Sequence, residues 1–122
     1  MNAINWFEIP SHDFNRATAF YEALYAETLR LDTDFPGMKM AILPHGDEDV
    51  GGAVVHAEHL RPSSDGMLPY LNAGADLAQM LGRVEAAGGA IIMPKTHLGE
   101  KIGYIAIFRD SEGNHVGLHS MN

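Results

Sequence analysis

The feature that most constrains the fold of this chain is a repeat of about half its length. Two aspartates that suit helix N-caps, Asp13 and Asp76, are 63 residues apart, and His56 and His119 are separated by the same interval. Self-similarity at a fixed period predicts copies of one supersecondary unit that bury a common surface. We therefore expect an α+β fold of two tandem βαβββ modules. A plain α+β domain without internal symmetry is the alternative.

The first half carries the signals of one such module. An apolar stretch predicts a strand over Ile4–Ile9, and Asp13 is a suitable N-cap for a helix that continues to about Tyr25. Apolar residues at helical spacing support that helix: Phe14, Ala17, Tyr21 and Leu24. Two further strands are predicted over Met38–Leu43 and Val50–Val55.

The second half repeats this order. A strand is predicted over Met67–Ala73, followed by a helix that Asp76 caps and that Gly88-Gly89 ends. The remaining strands are predicted at Ile91–Met93, Tyr104–Phe108 and His115–His119. The polar stretch before this half suits a linker, so we divide a single domain of residues 1–122 into module one (about 1–58), a linker (about 59–66) and module two (about 67–122).

Composition narrows the classes of function. With 122 residues, of which 46% are hydrophobic, the chain is able to form one packed core. The absence of cysteine excludes disulfides and thiolate metal sites. Eight Lys and Arg residues against sixteen Asp and Glu give a net charge of −8, and the basic residues are scattered singly, which disfavours nucleic-acid binding. No apolar segment resembles a signal peptide or a membrane span, so we expect a cytoplasmic protein with no membrane partner.

Several motifs follow one another in an order typical of a known family. They are Phe7-Glu8-Ile9-Pro10, then Asp13 with Arg16-Ala17 and Ala19-Phe20-Tyr21, then the run Arg83–Gly89 and finally the run Asp110–Leu118. This order resembles the vicinal oxygen chelate superfamily, which includes glyoxalase I, extradiol dioxygenases, and fosfomycin and bleomycin resistance proteins. The resemblance covers almost the whole chain and implies a glyoxalase-like fold, with a curved mixed sheet around a cavity. It does not imply one activity, because this fold carries isomerases, oxygenases, transferases and simple drug binders.

The resemblance also implies where a metal would be held. Metal-dependent relatives place His or Glu at four positions, which correspond here to Trp6, Val54, one residue of Leu68–Tyr70, and Gly117. None of these residues is a usual ligand of a divalent metal. We therefore expect no metal at the usual positions and no cofactor. A relocated metal site remains an alternative.

Strand alternation predicts which side chains line the face away from the helices. These candidate ligand-binding residues are Trp6, Glu8, Tyr70, Asn72, His115, Gly117 and His119. Trp6 offers a ring on which a flat ligand could stack, and Gly117 leaves space beside it. The alternative is that Trp6 and its neighbours simply fill the interior.

Glu8 and His119 are the candidate catalytic residues. A histidine near a carboxylate suits proton transfer around neutral pH, and His115 is an equally placed partner for Glu8. Each histidine is also explained by an ordinary structural hydrogen bond. An inward Glu8 would need a partner, water or a ligand cation, because an unpaired buried carboxylate is costly. Lys95-Thr96 and the loop His97–Lys101 are candidates for a cavity rim and a lid, or else for ordinary surface structure.

Three functions follow from these observations. The first is a metal-free protein that binds a neutral or cationic aromatic small molecule. The second is a lyase, isomerase or dioxygenase-type enzyme that uses a relocated metal or a Glu/His acid–base pair. The third is an interaction domain, since the edge strands of such a sheet favour pairing with another subunit. In each case we expect a homodimer.

Overall fold

The computed structural model describes all 122 residues, and its elements fall into two similar groups. The first group consists of β1 (Trp6–Pro10), α1 (Phe14–Tyr25), β2 (Arg30–Asp32), β3 (Met38–Ile42) and β4 (Gly51–Ala57). The second consists of β5 (Tyr70–Asn72), α2 (Ala78–Leu81), α3 (Val84–Ala87), β6 (Ala90–His97), β7 (Tyr104–Arg109) and β8 (His115–Ser120).

Each group forms its own four-stranded mixed sheet, with orders β1-β4-β3-β2 and β5-β8-β7-β6. In both sheets the first strand of the module pairs in parallel with the last, and the other pairs are antiparallel. The duplicated βαβββ topology predicted from the sequence is therefore confirmed. The strands form two sheets, however, and not one continuous sheet.

The register of the strands refines the repeat. In the first module the backbone N–H of Ser11 donates to the Val55 carbonyl oxygen. In the second module the N–H of Ala73 donates to the His119 carbonyl oxygen, so the two hydrogen bonds are equivalent. Residues of β1 and β5 thus correspond at an interval of 62, and those of β4 and β8 at 64. The interval of 63 read from His56 and His119 was wrong by one residue for these strands. A shift of one residue matters because it moves a side chain to the other face of a strand.

Three elements differ from the sequence-based assignment. Strand β2 was missed because its three residues carry no alternating pattern. The second helix is not continuous but divides at Gly82 into α2 and α3. Its N-cap residue is Leu77 and not Asp76, although the Asp76 side chain accepts a hydrogen bond from the Ala78 N–H. Strand β6 continues past Pro94, with register shifts on either side of Met93. Proline lacks an N–H and is tolerated at such irregularities and at sheet edges.

Helix α1 begins and ends as its sequence predicts. The Asp13 side chain accepts a hydrogen bond from the Arg16 N–H at 3.0 Å, which satisfies one of the free donors of the first turn. The helix ends at Ala26, which adopts a left-handed conformation. Between these caps α1 buries one side, formed by Phe14, Ala17, Thr18, Phe20, Tyr21 and Leu24.

The hydrophobic core joins the two modules. One cluster of 20 buried residues draws ten from each module, so neither half buries its apolar side alone. Phe20 and Tyr21 of α1 contact Phe108 of β7, with ring centroids 5.9 and 6.5 Å apart. The helices and the helix-facing sides of both sheets thus form one interior, and the opposite sides of the sheets face outward. None of the helices combines the length and apolar character needed to cross a membrane.

Candidate functional site

The turn before β8 joins the two modules through buried hydrogen bonds. The Glu112 side chain is fully buried, and its Oε1 accepts the backbone N–H groups of His12 at 2.9 Å and Asp13 at 2.7 Å. The Arg16 guanidinium donates to both carboxylate oxygens, at 2.7 and 3.1 Å, and the Ser111 hydroxyl donates at 2.9 Å. Glu112 of module two therefore binds the start of the helix of module one.

This environment fixes the charge of Glu112. Burial by itself would raise the pKa of the carboxyl, but the hydrogen bonds from Arg16, the Asp13 backbone and Ser111 outweigh it and lower the pKa from 4.5 to about 2. The same ion pair raises the pKa of Arg16. Glu112 stays ionised at any ordinary pH and has no free lone pair directed at solvent, so its role is structural.

Asp110 extends this buried network. Its side chain accepts hydrogen bonds from the Tyr21 hydroxyl at 2.8 Å and from the side-chain amide of Asn114 at 2.9 Å, and it accepts the backbone N–H groups of residues 112 and 114. Burial, with the charge of Asp110 next to it, raises the pKa of Tyr21 well above its usual value. Asn114 also donates to the Pro10 carbonyl and accepts from the Ser63 N–H. We call residues 110–114 the module clamp.

The predicted division of side chains between the two faces of the strands is confirmed by burial. The helix-facing residues lie in or against the shared core: Phe7, Ile9, Leu71, Ala73, Val116 and Leu118. The alternating residues lie on the other faces, and Trp6, Glu8, Tyr70 and Asn72 are exposed. The seven predicted ligand-binding residues therefore share the expected orientation, but the structure distributes them over separate places and does not gather them around one cavity.

The largest well-defined hollow near these residues is a cleft of about 610 Å³ between the modules. Its walls come from the start of β1, the start of β4 and strand β5, together with the N-terminal segment and the loop before β4. Of the predicted residues it includes Tyr70 and Asn72. Trp6 lies at its side, where its ring meets that of His45 edge-on at 6.3 Å. We call this hollow the inter-module cleft.

The cleft is half apolar and half polar. Apolar contact comes mainly from Ile4, Phe7, Leu43 and the ring of Tyr25. Polar groups come from His45, Asp49, Asn72 and the hydroxyls of Tyr25 and Tyr70. Burial, with a smaller contribution from the charge of Glu27, raises the pKa of Tyr25 to about 12, so its hydroxyl is neutral at any ordinary pH.

Two of the candidate residues line a second, smaller hollow of about 170 Å³ beneath the linker. Glu8 and His115 lie in its walls with Arg61 and Asp65. Glu8 is exposed to solvent, and its carboxylate accepts a hydrogen bond from the Trp6 indole at 3.3 Å. Glu8 thus has both solvent and the Trp6 indole as partners, and its role in ligand binding stays a prediction.

The structure does not bring Glu8 and His119 together. The Nε2 atom of His119 is hydrogen-bonded to the Ile102 carbonyl oxygen, and His119 lines neither of the two hollows described here. His115, the other histidine of β8, shares the smaller hollow with Glu8. The separation follows from the two-residue spacing of side chains along one face of a strand, which places His115 and His119 at opposite ends of β8. A catalytic role for Glu8 or His119 stays a prediction.

Lys95 is not at the rim of either hollow. Its Nζ forms an ion pair with Asp76 at 2.9 Å and lies 4.5 Å from the centre of the Tyr104 ring. This pairing lowers the pKa of Asp76. His97 belongs to β6 and stacks against the same ring at 4.8 Å. The residues after it form the closed end of the β6–β7 hairpin, so neither the rim nor the lid assignment is supported.

The positions that resemble metal-ligand positions do not fit a metal. The strand register places Ala53 opposite Glu8, as Gly117 lies opposite Tyr70, so Ala53 is the equivalent of Gly117. The prediction of Val54 was therefore wrong by one residue, and Val54 is a core residue on the other face of the strand. By the same register the equivalent of Trp6 is Leu68. Indole, methyl, isobutyl and hydrogen side chains provide no donor for a divalent ion. No group of three or more His, Asp or Glu side chains lies together elsewhere in a way that could hold a metal ion.

The ring of Tyr70 explains why Gly117 has no side chain. These residues are opposite one another in the β5–β8 pair, and the tyrosine ring lies over the glycine so closely that a Cβ atom on Gly117 would overlap it. Phe7 covers Gly52, and His45 covers Gly51, in the same way. An aromatic ring thus occupies the space above each of these three glycines. One of them, Gly117, is the last of the four residues at positions that resemble metal-ligand positions.

Solved structures similar to this one share a single fold. The chain matches a glyoxalase/bleomycin resistance protein/dioxygenase family enzyme from Burkholderia phytofirmans with a TM-score of 0.68 and 13% identity, over 97% of this chain and 98% of that one. It matches a glyoxalase-related enzyme from Fulvimarina pelagi with a TM-score of 0.66 and 15% identity, over 98% and 88%. This chain has the glyoxalase-like fold.

The fold resemblance extends to a longer protein. Glyoxalase I from Zea mays matches with a TM-score of 0.69 and 17% identity, over 96% of this chain but only 44% of its own length. This chain therefore spans less than half of that protein. No family model matches the sequence, and no curated protein matches it. The superfamily resemblance inferred from the motifs is thus supported by the glyoxalase-like fold, and at these identities the comparison shows the fold alone.

Sequence reasoning missed several residues of the inter-module cleft. Phe7, Tyr25, His45 and Asp49 line the cleft but were not among the predicted ligand-binding residues, and His45 and Asp49 lie in the polar turn before β4. The turn did carry one usable signal, since His45 and Asp49 flank a cluster of carboxylates directly before a strand of small residues. That the turn folds back against β1 could not be read from the sequence, because the contact depends on the parallel pairing of β1 with β4.

Proposed function

We propose that this chain is a metal-independent small-molecule-binding protein whose ligand occupies the inter-module cleft. One observation carries the proposal: the cleft combines apolar walls with polar groups that the chain leaves unpartnered. Ligand pockets in proteins are typically 300–1,000 Å³, mostly apolar, and fitted with a few polar groups that orient the ligand. The cleft, at about 610 Å³, falls within this range.

The open polar groups distinguish this cleft from the module clamp. The hydroxyls of Tyr25 and Tyr70 make no hydrogen bond within the chain, and Asn72 uses only its carbonyl oxygen, which accepts from the Gly74 N–H at 3.0 Å. Their remaining donors and acceptors face solvent in the free protein. A ligand that satisfies them gains orientation as well as contact area.

Binding can be tested with the neutral dye Nile red, whose fluorescence rises in apolar surroundings. We expect saturable binding with one dye per chain. The variant Val50→Trp adds a bulky side chain to the cleft wall and should weaken binding at least about tenfold, because it removes the volume that the dye needs. Ile102→Trp makes a comparable change at an exposed position outside the cleft and should bind as the unmodified protein does.

Two outcomes would contradict the proposal. One is the absence of saturable dye binding. The other is equal loss of binding in Val50→Trp and Ile102→Trp, which would place the dye away from the cleft. Thermal denaturation of both variants should accompany the titrations, since only folded variants are informative. The homodimer, the cytoplasmic location and the absence of a cofactor stay predictions.

A further inference from the structure

The formal charge in the inter-module cleft has one sign. No lysine or arginine lines it, and Asp49 is its one carboxylate. Asp49 forms no ion pair and accepts no hydrogen bond from any group of the chain, although its own N–H donates to the Gly46 carbonyl at 3.1 Å. A carboxylate without a partner at the wall of the cleft creates a negative potential there.

His45 adds a hydrogen-bond acceptor to the lining of the same cleft. Its Nδ1 lies 2.8 Å from the Gly46 carbonyl oxygen, and because a carbonyl oxygen only accepts, Nδ1 carries the proton. In the neutral ring the Nε2 atom is then an acceptor. The polar end of the cleft near Gly46 thus presents two acceptors, one of them charged.

The other walls suit an apolar body. Phe7 and Tyr25 contribute aromatic rings, and Leu43 contributes an aliphatic side chain. The high pKa of Tyr25 keeps its hydroxyl uncharged, so it adds no second negative charge. Aromatic faces also attract cations, which reinforces the preference set by Asp49.

We propose that the ligand of the inter-module cleft carries a protonated amine on an apolar body, with the ammonium group placed against Asp49 and His45. The inference rests on the proposed binding function and adds to it the class of ligand. An ammonium group supplies the donors that both acceptors lack, and its charge is opposite to that of Asp49. The apolar body occupies the space between Phe7 and Tyr25.

The test uses three probes of one shape that differ in charge: 4-phenylbutylamine, 4-phenylbutan-1-ol and 4-phenylbutanoate. Titration calorimetry at pH 8 and low salt measures each affinity directly. We expect the amine to bind about five- to tenfold more tightly than the alcohol, which corresponds to one charge pair in largely aqueous surroundings. The carboxylate should bind most weakly, and added salt should reduce the preference for the amine.

Two variants with the same change in net charge locate the effect. Asp49→Asn should lower the affinity for the amine to that for the alcohol and leave the alcohol unaffected. Asp47→Asn removes a carboxylate from the same loop outside the cleft and should keep the preference. Equal binding of amine and alcohol by the unmodified protein would overturn the inference and leave the binding function standing. Loss of the preference in both variants would overturn it too, and binding of none of the three probes would overturn both proposals.

Discussion

The two ends of β1 show opposite uses of carboxylates. At its C-terminal end the module clamp surrounds the carboxylates of Asp110 and Glu112 with donors from both modules. At its N-terminal end the inter-module cleft presents Asp49 with no donor from the chain. All three are acidic residues in polar turns that precede a strand.

The contrast lies in the donors that surround each carboxylate. Where buried acceptors are fully satisfied they hold two modules in one arrangement, and removal of a partner is costly. Where acceptors stay open to solvent they add little to stability and remain available to a ligand. The comparison predicts that substitutions at the clamp alter stability and that those at the cleft alter binding.

The largest effect is expected for Glu112→Gln. The amide nitrogen of glutamine cannot accept a hydrogen bond, so the donors on one side of the carboxylate, either those at Oε1 or those at Oε2, lose their acceptor, and Arg16 loses its ion pair. At pH 7 the free energy of unfolding should therefore fall by about 3 kcal/mol. Urea denaturation measures it, and Glu100→Gln, in an exposed turn, is the matched control and should be neutral. An equal loss in both variants would mean that the clamp is not a special site.

The pH dependence sharpens this prediction. The pKa of Glu112 is lowered in the folded state, to about 2 from 4.5, so its contribution is fully present above about pH 4.5 and is lost as the pH falls toward 2. The difference in stability between the unmodified protein and Glu112→Gln should therefore shrink across this window. A difference that stays constant down to pH 2 would contradict the assignment.

An intermediate effect is expected for Tyr21→Phe. This change removes the hydroxyl that donates to the buried Asp110 carboxylate and should cost about 2 kcal/mol. Tyr25, one turn further along α1, has no hydrogen-bond partner in the chain, so Tyr25→Phe should change the unfolding free energy by less than about 0.5 kcal/mol. If the two variants lost the same stability, the contrast between clamp and cleft would fail.

The smallest effect is expected for Gly117→Ala. The added Cβ overlaps the Tyr70 ring, and because Tyr70 is largely exposed and able to shift, the cost should be about 1 kcal/mol. Introducing Gly117→Ala into a Tyr70→Ala background should be nearly neutral, because the overlap is gone. Urea denaturation of the four proteins of this cycle measures the coupling. Additive losses would show that the ring does not occupy this space.

Much of the fold was predictable from the sequence. The limits of α1 followed from Asp13 and from apolar residues at helical spacing, and the faces of β1, β5 and β8 followed from alternation. β2 was missed because three residues are too few for a pattern. The break at Gly82 was missed because Leu77, Met80, Leu81 and Val84 keep helical spacing across it.

The candidate site was less predictable, because side-chain orientation alone does not tell how close two residues are. Alternation placed Glu8, His115 and His119 on comparable faces. In the structure His119 is separated from Glu8, because it lies at the opposite end of β8 from His115 and is hydrogen-bonded to the Ile102 carbonyl oxygen. The identity of the residue opposite Glu8 depended on strand register, which a repeat interval fixes only to within a residue.

From the sequence alone the N-cap of α1 at Asp13, the periodicities of the elements and their duplicated order could be predicted. Which polar groups meet depends on the tertiary structure. Hydrogen bonds between modules join residues up to 104 positions apart, such as Pro10 and Asn114, and no local pattern encodes such a pairing. A carboxylate is enclosed by a clamp or left open to solvent according to the donors that folding brings to it, because the free energy of an acceptor depends on its partners and its burial.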